Sequence, residues 1–102
     1  MIHVFHPEAR LEYREAASFY ENRRPGLGAA FTLEVETTIE RIMAAPDRWP
    51  ILEQDVRRCL THVFPYHVLY TIKADSILIV SVMHLRRRPG PWRDRLPGPP
   101  VS

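Results

Sequence analysis

The chain has 102 residues, 45% of them hydrophobic and 25% charged, which is enough for one core and too few for two domains. Cys59 is its single cysteine, so an internal disulfide and a cysteine-based zinc site are excluded, and there is no run of about eighteen apolar residues to span a bilayer. The net charge of +2 hides an asymmetry: residues 1–55 carry six basic and ten acidic side chains, whereas residues 56–102 carry eight basic and two acidic ones. Thirteen of the fourteen cations are Arg, whose rigid fork of donors matches phosphate and carboxylate, so the second half is expected to meet an anionic partner.

Ile2 to Phe5 reads as a short strand. His6-Pro7-Glu8 then opens a helix, with Pro at the first helical position and an acid at the positive helix end. Ala9, Tyr13, Ala16, Ala17 and Tyr20 fall on one apolar face, and Glu8, Glu12, Arg14 and Glu15 take the other positions. Arg23-Arg24-Pro25-Gly26 ends that helix. Leu27, Phe31, Val35, Ile39 and Ile42 form the stripe of a second helix, which runs to about Ala45 and stops at Pro46. The short connection makes the pair an antiparallel hairpin. Residues 47–55 read as a loop anchored by Trp49.

The remainder reads as sheet. Val56 to His62 and Tyr66 to Lys73 are strands, and Ala74-Asp75-Ser76 is a tight turn. Ile77 to Met83 is a nearly continuous apolar run, as a central strand covered on both faces requires. The Pro- and Arg-rich segment 86–102 is a tail that docks only locally, with residues 97–102 expected to be disordered. The order β-α-α-β-β-β gives an α+β domain, a helical hairpin packed on one face of a small, mainly antiparallel sheet.

Four clusters could carry chemistry. Arg57 and Arg58 are neighbours on a strand and so point to opposite faces; one of them can bind a phosphate or an acidic peptide, or both are solvated strand charges. His67 shares parity with Leu69, Thr71 and Lys73, which places it on the sheet face away from the helices, as a general base or as a polar strand residue without a role. His84 shares the parity of Leu78, Val80 and Val82 and is followed by Arg86, Arg87 and Arg88, an acid–base group with charge stabilisation behind it, or a tether for the tail. Trp92, with Arg93 and Arg95, either stacks on a base or pins the tail to the core. No metal-ligand spacing and no phosphate-cradling glycine loop is visible, so no cofactor is expected.

A longer pattern runs through the chain: Pro7-Glu8-Ala9, Tyr13, Phe19-Tyr20-Glu21, Pro25-Gly26-Leu27-Gly28, Phe31, Pro46, Trp49-Pro50, Arg57-Arg58, Phe64-Pro65-Tyr66, Tyr70, His84, Arg87 and Trp92. It resembles the plasmid-stabilisation type of toxin in the RelE/ParE superfamily, over roughly residues 2 to 95. The resemblance implies a toxin domain over residues 1–95 with a flexible Pro-rich tail at 96–102, and one half of a type II toxin–antitoxin pair acting in the cytoplasm. The expected partner is a cognate antitoxin whose acidic, partly disordered C-terminal segment wraps the toxin and which itself holds operator DNA. ParE-like members poison DNA gyrase, and the long hairpin and Arg/Trp tail suit that branch. RelE-like members instead cleave ribosome-bound mRNA without metal, using basic residues of the sheet and the C-terminal region. On that alternative His67, His84, Arg57 and Arg87 are the catalytic set, although His67 stands where the family has an Arg and Cys59 where it has a second basic residue. Arg57, Arg58, Arg86, Arg87, Arg88, Trp92 and Arg95 are the residues expected to bind antitoxin or nucleic acid. A third reading is a non-toxic interaction domain that retains only antitoxin binding.

Overall fold

The computed structural model describes residues 1–87 and 90–96. Its elements are β1 (Ile2–Phe5), α1 (Pro7–Arg23), α2 (Leu27–Ala44), β2 (Ile51–Glu53), β3 (Val56–Leu60), β4 (Tyr66–Ile72), β5 (Ser76–His84) and a terminal 3₁₀ turn, Pro91–Arg95. The α+β class and the helical hairpin on a sheet match the sequence reading. One strand was not expected. β2 forms inside the segment read as a loop, pairing Ile51 with Arg57 and Glu53 with Val56 across a turn where Gln54 adopts φ 53°. Three residues are too few for alternation to register. The strand order is β1-β5-β4-β3-β2, with β1 parallel to β5 and every other pair antiparallel.

The hairpin is closed by one side chain. The Glu21 carboxylate accepts from the backbone N–H groups of Gly26 and Gly28, at 3.0–3.1 Å, and so caps the first turn of α2. Gly26 supplies the left-handed φ of 89° that reverses the chain. Gly28 is the contact point of the helices, because a Cβ there would sit 2.6 Å from the Ala17 carbonyl oxygen. Ala9 and Ala16 of α1 and Phe31, Val35, Ile39 and Ile42 of α2 press on Val68, Tyr70, Ile77, Ile79 and Val82 of the sheet. Burial of this apolar face is the main source of stability.

The other face of the sheet, expected to be open around His67, is covered by the C-terminal turn. Trp92 is 2% exposed and lies with Val56, Leu69, Val80 and Met83. This coverage makes β5 the doubly covered strand that its composition required.

Two further departures have a common cause at β5. β1 pairs only as far as Ile79, so the backbone beyond it needs other partners. Glu12 of α1 accepts from Ser81 Oγ (2.8 Å) and Val82 N (3.2 Å), and Arg95 donates to the Val80 carbonyl (3.1 Å) and to both Glu12 oxygens (2.7 and 3.0 Å). Glu12 is therefore bound into the fold rather than placed on the solvent side of α1. A bulge also falls here: Leu69 pairs with Ser81 and Tyr70 with Ile79, leaving Val80 extra. The bulge shifts the alternation, so that Val80 packs with Trp92 while Val82 packs with the helices. His84 consequently follows Val82 onto the helix side and does not share a face with Leu78 and Val80. No helix among the described residues is long and apolar enough to cross a membrane.

Candidate functional site

An open groove lies where the end of α1 meets the start of β4 and the end of β5. Phe19, Tyr20 and Arg23 of α1, Leu27 of α2, Tyr66 and His84 enclose a cavity of about 530 Å³. A second hollow of about 300 Å³ continues it along α1 over Glu12, Glu15, Val82 and Arg87, sharing Phe19 and Tyr66 with the first. The walls are aromatic. Tyr20 meets Tyr66 edge-on at 6.0 Å between ring centroids, and Tyr66 meets His84 at 5.3 Å. Phe19 is 50% exposed, and its ring carries the Arg23 guanidinium at 4.8 Å.

Local geometry fixes the polar groups. The Arg86 backbone N–H donates to His84 Nδ1 at 3.0 Å, which orients the imidazole and leaves Nε2 without a hydrogen-bond partner among the described residues. The Arg87 N–H donates to the His84 carbonyl, and its guanidinium stands exposed, 3.9 Å from the Glu12 carboxylate. Burial, reinforced by Tyr20, pushes the Tyr66 hydroxyl up to about 12, so at neutral pH it remains a hydrogen-bond donor.

Of the residues expected to form a site, His84 and Arg87 line this groove, and Arg86 reaches it only through its backbone N–H. The others do not join them. His67 precedes Val68 on β4 and faces the Trp92 side, where it is 7% exposed and neither ring nitrogen has a hydrogen-bond partner. Burial, and secondarily Arg58, depress its pKa to about 4, so its ring is neutral. Arg57 Nη1 donates to the carbonyls of Asp47 (3.1 Å) and Trp49 (2.7 Å), tying down the loop before β2. Arg58 is exposed at the sheet edge. Trp92 is buried, and Arg95, with its side chain 9% exposed, is bound to Glu12. Between them Arg93 makes a paired contact to Glu53, which holds that carboxyl below the usual carboxylate range. Arg88 and residues 97–102, the segment expected to be disordered, lie outside the described residues. Phe19, Tyr20, Arg23 and Tyr66 were not singled out as binding residues. The trace they leave in the sequence is Phe19, an aromatic off the buried stripe with Arg23 one helical turn on.

Among the described residues no group of three or more His, Cys, Asp or Glu side chains is placed to hold a metal ion. No curated protein matches the chain by sequence. Among solved structures, the chain is similar to one from a chromosomal ParDE TA system of P. aeruginosa, with a TM-score of 0.71 at 11% identity over 81% of this chain and 92% of that one. At that identity the likeness speaks for the fold. The sequence profile described as the ParE toxin of the type II toxin–antitoxin system parDE matches residues 4–89. That match extends from β1 through β5, and the chain accordingly belongs to the ParE family of type II toxins.

Proposed function

We propose that the chain inhibits growth by acting on DNA gyrase, and that an acidic segment of its antitoxin neutralises it by filling the groove of Phe19, Tyr20, Tyr66 and His84. The groove reading is supported by the half-exposed Phe19 between two adjoining hollows, with Arg23 and Arg87 at hand for carboxylates. Apolar anchors in such a groove supply affinity, and the arginines supply register.

The choice of gyrase rests on one observation. The four side chains that mRNA cleavage would need are not directed at one point: His67 is buried on the opposite face and Arg57 is engaged with backbone carbonyls. General acid–base work requires hydrogen-bond reach of the substrate. A second reading, mRNA cleavage, draws on a different observation, the oriented His84 beside Arg87 and Tyr66.

Induction of the protein alone should arrest growth, and co-expression of the antitoxin should restore it. Phe19→Glu should leave the arrest intact and abolish the rescue. Undiminished growth with soluble protein present would reduce the chain to an antitoxin-binding domain. Arrest with fragmented mRNA and normal DNA supercoiling would favour the second reading.

A further inference from the structure

The geometry points to a second binding surface, formed by Arg41, Arg48, Trp49, Arg58 and His62 around the end of α2, that takes a single-stranded nucleic acid. It does not rest on the toxin reading and shares no residue with the groove. The hollow at its centre has a volume of about 320 Å³ and is lined by Arg41, Trp49, Pro50, Arg58, Leu60 and His62. No carboxylate belongs to that lining. The Arg41 and Arg48 guanidinium carbons lie 5.7 and 5.5 Å from the Trp49 ring centroid, so two arginines converge on one indole.

The backbone at this edge argues against an added peptide strand. Three of the groups that β3 and the loop after it turn outward are already bonded. Arg58 N donates to the Pro50 carbonyl (3.0 Å), the Leu60 carbonyl accepts from Arg41 Nη2 (3.1 Å), and His62 N donates to the Glu34 carboxylate. Glu34 also accepts from Val63 N, at 3.2 Å, so this nearby acid is committed to the loop. What the surface offers is side chains: cations set around an aromatic ring. That combination holds single strands, with arginines on phosphates and bases stacked on the ring.

The parts divide the work. Arg41 is a fixed cation, held by Thr38 Oγ1 and the Leu60 carbonyl at 3.1 Å each. Arg48 and Arg58 are exposed and free to swing. Arg48 can leave the indole face for a phosphate while a base takes its place.

The test is fluorescence anisotropy with labelled oligothymidylate and oligouridylate of about fifteen nucleotides, the span of a single-strand site. The parent should bind, with affinity falling steeply as salt is raised. Arg48→Ala/Arg58→Ala, whose side chains are both exposed, should keep the parent's unfolding midpoint. It should lose about tenfold or more in affinity, and its log–log salt slope should drop by about 1.4, from about 0.7 per phosphate contact. Arg24→Ala, an exposed arginine that lines neither the groove nor this surface, should bind as the parent does. Preference between the two strands identifies DNA or RNA as the ligand. Absence of binding by the parent overturns the inference, as does an unchanged slope in the double variant. Displacement by polyglutamate at matched charge with equal affinity would make the surface a site for acidic peptide instead, and would overturn it too.

Discussion

His67→Leu should flatten the acid limb of the protein's stability curve. The imidazole is 7% exposed and neither nitrogen is bonded, so its charged form is disfavoured in the fold. Its pKa is held near 4 against an ordinary 6.5. Between those values the unfolded chain binds the proton and the folded chain does not, so stability falls as pH drops from 6.5 toward 4 and is fully present above 6.5. At about 1.36 kcal/mol per unit, the complete loss is about 3 kcal/mol. At about pH 5.5 it is already about 1.4 kcal/mol, a large share of a small domain's total. Urea unfolding at about pH 7.5 and about pH 5.5, on parent and variant, measures the difference. Carboxylates such as Glu53 add their own dependence at lower pH, but they are common to both proteins and cancel. Equal losses in the two proteins would show that His67 is solvated or paired in solution, and the argument from burial would fail.

Four other substitutions test the packing and the ion pairs. Trp92→Ala should cost about 3 kcal/mol or more, the range for removing a buried aromatic, and a urea melt would show it; a loss below about 1 kcal/mol would mean that the turn is not docked. Glu12→Ala should cost about 3 kcal/mol by leaving the buried Arg95 guanidinium without its carboxylate and the Val82 N–H without its acceptor, whereas Arg87→Ala, which removes only a long exposed contact, should change the melt by less than about 1 kcal/mol. Gly28→Ala should cost about 2 kcal/mol, because its Cβ meets the Ala17 carbonyl; a neutral thermal melt would show that the helices separate readily.

The helices were legible because each buries one face, and the spacing of Leu27, Phe31, Val35, Ile39 and Ile42 states which face that is. β5 was legible because strands covered on both sides are apolar throughout. What escaped was set by distant partners. Glu12 looks like any solvent-facing acid until Arg95, 83 residues away, reaches it. The bulge at Val80 depends on how β4 pairs with β5, and it moves His84 to the face where Tyr66 and Phe19 form the groove. Trp92 admitted two roles in the sequence, and only the sheet face beneath it shows which surface it occupies. His67 was placed on the correct side of β4, but its burial to 7% exposure does not follow from strand parity.

The most direct measurement is a supercoiling assay with purified gyrase, relaxed plasmid and the isolated protein, run beside a translating extract. Loss of supercoiling or accumulation of cleaved plasmid, with transcripts left whole, is the result the account predicts. Undiminished supercoiling with cut transcripts would contradict it.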